Sequence, residues 1–111
     1  MVKGWKGKRL RIDLSLQKAW SEDISAEDLR QCLGGRGLNA SFFSRNFQSP
    51  ISPSSPENPI AFAVGPLTGS LAPCSGWTSI ASFSPLFDLP SYACTRMAGH
   101  LGVPLKGAGY D

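Results

Sequence analysis

The sequence predicts an α+β domain made of short strands and two short helices. Residues 8–14 alternate polar and apolar side chains, the period of two that gives a strand one buried face. Residues 25–33 carry apolar side chains at helical spacing and then meet two glycines. Glycine (12) and proline (9) together make up about 19% of the 111 residues, above the usual ~12%, so turns are frequent and elements short.

Taken in order, Arg9 and Arg11 alternate with Leu10, Ile12 and Leu14, which sets a wet face against an apolar one. Residues 15–18 then turn the chain, and residues 19–23 return as a short second strand. Ser25 is placed as a helix N-cap, with Asp28 positioned to reach back to its amide in a capping box. Leu29, Cys32 and Leu33 form the buried stripe, and Gly34 and Gly35 end the helix. A second helix is expected over 38–47, burying Leu38, Phe42, Phe43 and Phe47. Residues 48–59, with prolines at 50, 53, 56 and 59, read as an extended, polyproline-like surface connector. Residues 60–64 and 78–83 suit strands. Residues 96–102 suit one helical turn limited by Pro104, and residues 107–111 read as a turn.

Apolar residues (41%) against charged ones (17%) indicate a globular chain. No run of 18 uncharged apolar residues predicts a membrane span, and the basic N-terminus lacks the apolar stretch of a signal peptide. A complete multi-cofactor enzyme does not fit in this length, so the chain is expected to act within something larger. Five cations, Lys3, Lys6, Lys8, Arg9 and Arg11, cluster at the start of a chain of net charge +3. They suit the solvated flank of a strand better than a nucleic-acid arm. Cys32, Cys74 and Cys94 have no metal-ligand spacing, and their odd number suits a reducing, cytoplasmic compartment. His100 has no neighbouring carboxylate to make a catalytic pair.

Three glycine-rich junctions carry what chemistry there is. At residues 33–38, Arg36 stands among Gly34, Gly35 and Gly37 where a helix starts. It suits a phosphate clamp, or else a plain helix–helix corner. Residues 65–70 and 72–77 join two strands through small residues, including Ser75, Gly76 and Trp77. This composition fits a phosphorylated or heteroaromatic ligand as well as it fits a wide hairpin loop. Residues 96–102 hold Arg96, Ala98 and Gly99, small residues that let a ligand close to backbone. No nucleophile–base set can be assembled, so the residues alone describe a binding surface without a catalyst.

These junctions in this order resemble the N-terminal domain of the tungsten-containing aldehyde:ferredoxin oxidoreductase family. The matching pieces are Gly7-Lys8 through Leu14, residues 33–38, Pro53 through Asn58 and residues 65–69. Ala72-Pro73, Gly76, Ser84-Pro85-Leu86, Lys106 and Ala108 through Asp111 complete them. The resemblance implies that residues 1–111 are part of a domain cradling a tungsten- or molybdenum-bis-molybdopterin whose phosphates are linked by magnesium. It implies that the remaining domains or subunits bind a [4Fe–4S] cluster, which this chain does not. It further implies an enzyme that oxidises aldehydes to carboxylates and passes electrons to ferredoxin, with this part inactive alone. The alternative is a non-catalytic small subunit or interaction module derived from that domain. The residues placed at the cofactor are Arg36, Ser75, Gly76, Trp77, Arg96, Ala98 and Gly99. Two of these depart from the family pattern. Trp77 stands where an arginine is common, and Arg96-Met97-Ala98-Gly99 stands where Asn-Ser-Gly-Gly is common. Arg96 has no acceptor and cannot ligate a cation, but it can pair with a phosphate.

Overall fold

A computed structural model describes residues 4–86 and 88–111; Lys3 of the basic N-terminal cluster lies outside them. The elements are β1 (Lys8–Asp13), β2 (Lys18–Asp23), α1 (Ala26–Cys32), α2 (Arg36–Asn46), β3 (Ala61–Val64), β4 (Thr78–Ser84), β5 (Ser91–Met97) and α3 (Gly102–Gly107). Strands β1 and β2 form an antiparallel hairpin, and β3-β4-β5 form an antiparallel sheet with β4 in the centre. The α+β class and the order of the first six elements follow the sequence reading.

The core lies between α2 and one face of the three-stranded sheet. Register pairs Ala61, Ala81 and Cys94 in one row and Phe83 with Tyr92 in another. That face receives Phe43, whose ring meets Phe83 edge-on at 5.1 Å and Tyr92 at 5.2 Å. Phe47 meets Phe83 at 5.3 Å. Such edge-to-face pairs add to the burial of large rings. A second cluster joins Leu29, Leu38 and Ala63 between the two helices and β3, with Cys32 packed against it as the apolar stripe predicted. On the opposite face of the sheet, Val64 and Thr78 are fully buried, and Gly102 of α3 sits against both.

The caps are partly as expected. The Ser25 hydroxyl accepts from the Asp28 amide at 3.0 Å. The Asp28 carboxylate does not return to Ser25 but pairs with Arg45 of α2 at 2.5 Å, because the neighbouring helix offers it a charge. At the end of α1, Leu33 itself takes the left-handed conformation (φ 56°). Gly34 follows at φ 129°, where a Cβ would lie 2.8 Å from the Val64 carbonyl.

Four expectations are corrected. The apolar face of β1 is not buried: Ile12 is 62% and Leu14 84% exposed. Its other face holds Arg9, which bonds Glu22 at 2.7 Å and lies over Phe42. Alternation reported an amphipathic strand, but among the described residues no element covers its apolar side. Residues 91–97 form a strand, so the helical turn expected from 96 is displaced; the exposure of most β5 side chains had erased its period. Helix α3 then begins at Gly102 and includes Pro104. Proline costs nothing there, because amides in the first turn have no intrahelical acceptor. Residues 52–58 are not extended. Ser55 and Asn58 amides bond to the Ser52 and Ser55 carbonyls, which places Pro53 and Pro56 second in two successive turns. Asn58 fastens this loop to the end of β4 by bonding the Phe83 amide and carbonyl.

The last residues turn back into the molecule. Asp111 is buried, and its carboxylate forms an ion pair with Lys106. It also accepts from the Lys6 and Gly7 amides at 2.7 and 2.6 Å. The Asp111 backbone bonds to Lys8 and to Val64. One carboxylate thereby joins the N-terminal segment, β3 and α3.

Candidate functional site

An open groove of about 530 Å³ lies where the start of α2, the β3–β4 connection and the end of β5 converge. One wall is the α1–α2 corner, Leu33 to Arg36. Opposite stand Gly65 to Thr68, then Pro73 to Ser75 and Trp77, with Ser79 and Arg96 on the sheet below. Backbone bonds hold the walls in place. The Gly35 amide donates to the Val64 carbonyl at 3.1 Å, tying the corner to the end of β3. Lys106 donates to the Gly65 carbonyl at 3.2 Å. The buried Thr68 hydroxyl donates to the Ser75 carbonyl at 2.9 Å and accepts from the Gly65 amide, so the two loops share one pin.

The groove is cationic. Arg36 follows Gly35 over the sheet, and Arg96 pairs in register with Ser79. The Arg96 guanidinium sits 5.5 Å over the Trp77 ring, a cation–π contact. Among the described residues no Asp, Glu or His lines the groove. Nearby, burial pushes the Tyr92 hydroxyl up to about 12, helped by the bond and charge of Cys94, while the Arg36 charge pulls the other way. Among the described residues no group of three His, Cys, Asp or Glu side chains could hold a metal ion. Small residues and backbone amides with two guanidinium groups can bind an anion; the Cys74 thiol also lines the groove, but no carboxylate or imidazole among the described residues stands there to act as its base.

Of the seven residues singled out in the sequence, the structure brings Arg36, Ser75, Trp77 and Arg96 into this groove. Gly76 lies behind it against the Gly99 carbonyl, which a Cβ at 76 would meet at 3.2 Å. Ala98 and Gly99 are not among the residues that line it, and the Gly99 carbonyl lies against Gly76. Sequence reasoning missed Thr68 and Ser79, whose hydroxyls look like any loop or strand residue until the loops are folded together. A second cleft of about 350 Å³ is lined by Trp5, Ile24 and Leu29 together with two cations, Lys6 and Arg30, and contains none of the seven residues singled out in the sequence.

Fold and groove together define a small mixed α/β domain whose loops wall a cationic binding surface. The chain belongs to the aldehyde ferredoxin oxidoreductase N-terminal domain family, whose profile matches residues 9–111. It is 38% identical over 108 residues to the tungsten-containing aldehyde ferredoxin oxidoreductase of Pyrococcus horikoshii, covering 97% of this chain and 18% of that protein. It is 32% identical over 110 residues to the aliphatic sulfonate oxidoreductase, WOR-like subunit, of Pyrococcus furiosus, covering 96% of this chain and 17% of that one. Among solved structures it resembles the active site complex BamBC of benzoyl coenzyme A reductase in complex with 1,5-dienoyl-CoA. That match has a TM-score of 0.89 and 33% identity, and covers all of this chain and 17% of the other. The chain thus spans less than a fifth of the length of the relatives it matches.

Proposed function

We propose that this chain is the base on which a tungsten- or molybdenum-bis-molybdopterin rests in an oxidoreductase that converts aldehydes to carboxylates. Electrons would leave through a cluster in the remaining domains or subunits toward a ferredoxin-type acceptor. The observation that carries this reading is the cationic, carboxylate-free groove walled by glycine and serine loops. Its donors fit the cofactor: guanidinium groups suit phosphate oxygens, and the Gly34, Gly35 and Gly65 backbone admits a bulky ligand closely. The bound metal would supply the two-electron chemistry. The chain's own work is to bind and orient. Arg36 and Arg96 would hold the phosphates, and Ser75 and the Trp77 flank would fix the loop beside the pterin. Thr68 and Lys106 would keep that loop closed on its ligand. The three unpaired cysteines suit a reducing, cytoplasmic setting. Among the described residues no helix is long and apolar enough to cross a membrane.

Elemental analysis of the protein assembled with its remaining domains is expected to show tungsten or molybdenum together with oxidised-pterin fluorescence, and aldehyde-dependent reduction of a dye. Assembled protein lacking both metal and pterin would sink the reading. A second reading, a non-catalytic interaction module, is favoured by Trp77 and Arg96, which depart from the family pattern. It expects a stable complex with a partner other than an oxidoreductase.

A further inference from the structure

We propose that Arg36 and Arg96, the latter seated on Trp77, form a clamp for a phosphoryl or pyrophosphoryl group that closes without a divalent cation. The proposal rests on the cofactor reading for the identity of the ligand, not for the anion chemistry. Two different elements deliver the charges. Arg36 opens α2, and the backbone there passes so near the sheet that a Cβ at Gly35 would sit 3.8 Å from the Ser79 side chain. Arg96 stands opposite Ser79 on β5. The fold therefore gathers two like charges at one mouth, an arrangement that an anion between them relieves.

Four of the other cations are paired, whereas Lys6, Lys8, Lys18 and Arg30, like Arg36 and Arg96, form no salt bridge among the described residues. Arg9 and Arg11 share Glu22, Arg45 takes Asp28, and Lys106 takes Asp111. Among the described residues neither Arg36 nor Arg96 has a carboxylate partner, and no acidic side chain lines the groove between them. A divalent cation bridging ligand to side chains would need such oxygens; guanidinium groups neutralise phosphate directly. Stacking on Trp77 restrains the Arg96 plane while leaving its in-plane N–H groups free for two parallel bonds.

Calorimetric titration of the protein with inorganic pyrophosphate in EDTA tests this. Saturable binding is expected, unchanged when Mg²⁺ replaces EDTA. Arg36→Gln and Arg96→Gln should each weaken it by about tenfold or more, the usual worth of a charge-assisted bond. Arg96→Lys should fall between, since it keeps the charge but loses the planar fork. Arg45→Gln, whose partner lies elsewhere, should leave binding unchanged, with urea midpoints confirming that each variant is folded. Quenching of Trp77 fluorescence by pyrophosphate, absent in Trp77→Phe, gives an independent readout. Binding that appears only with Mg²⁺, or that ignores both arginine substitutions, overturns the clamp. Pyrophosphate binding in an assembled protein without pterin would keep the clamp and defeat the cofactor reading. Pterin-loaded protein indifferent to both substitutions would do the reverse.

Discussion

Tyr92 stands on β5 opposite Phe83. Its hydroxyl is raised to about 12, first by burial and then by the Cys94 bond and charge, against the opposing pull of Arg36. Ultraviolet titration should therefore show one phenol ionising well above the ordinary value of 10. Because the fold favours the neutral phenol, this contribution to stability is intact below pH 10 and is lost as pH rises through about 12. Arg36→Gln removes the one opposing charge and should push the titration higher still. A titration unmoved by Arg36→Gln would place the guanidinium away from β5. None of this was readable in the chain, because Arg36 and Tyr92 are 56 positions apart and the charge of one reaches the other only once α2 lies on the sheet. Arg36 itself was legible, since an arginine among three glycines leaves a charge beside accessible backbone.

At the scale of elements, two glycines in helices make opposite predictions. Alanine is favoured over glycine in a helix by about 1 kcal/mol. At Gly107, where a Cβ would meet nothing within 4 Å, Gly107→Ala should gain up to about that amount. At Gly37 a Cβ would lie 2.2 Å from the Cys32 carbonyl, inside the α1–α2 corner. Overpacking of that kind costs about 1–3 kcal/mol and outweighs the propensity gain. Urea denaturation should show Gly37→Ala destabilised and Gly107→Ala not. The β1–β2 hairpin has its own pH dependence. Burial pushes the Glu22 carboxyl up, but the Trp20 and Arg9 bonds and the charges of Arg9 and Arg11 hold it below the ordinary 4.5. The carboxylate therefore supports the hairpin above pH 4.5, and that support fades as pH falls through the lower folded value. Amide exchange in β1 and β2 should quicken in acid, and Glu22→Gln should remove the pH dependence. Elements with strong period and caps, β1, α1, α2 and β4, were legible because local physics decides them. Strand β5 and helix α3 were not. One has neither face fully covered, and the other carries a proline, Pro104, that reads as a stop until its position in the first turn is known.

The whole molecule is held unevenly. Strand β4 is paired on both sides and buries Ser79, Ala81 and Phe83 on its α2-facing side, whereas the β1–β2 hairpin leaves Leu10, Ile12, Leu14 and Leu16 exposed. What ties the hairpin's base, β3, α3 and the groove loop into one body is the Lys106–Asp111 pair. The Asp111 side chain is fully inaccessible, and Lys106 also holds the Gly65 carbonyl at the groove wall. Removing one charge from such a pair strands the other in a poorly solvated site, which costs about 3–5 kcal/mol. A domain of this size has only about 5–15 kcal/mol in total, so Asp111→Asn should lower the melting temperature sharply. Removing both charges is a different matter, since a buried pair gives back little over apolar neighbours. Lys106→Met combined with Asp111→Asn should therefore lose less than the two single substitutions added together, a coupling that a double-mutant cycle measures directly. Additive losses would mean that Asp111 stabilises only through the Lys6 and Gly7 amides, and that the ion pair does not hold the groove loop to the core.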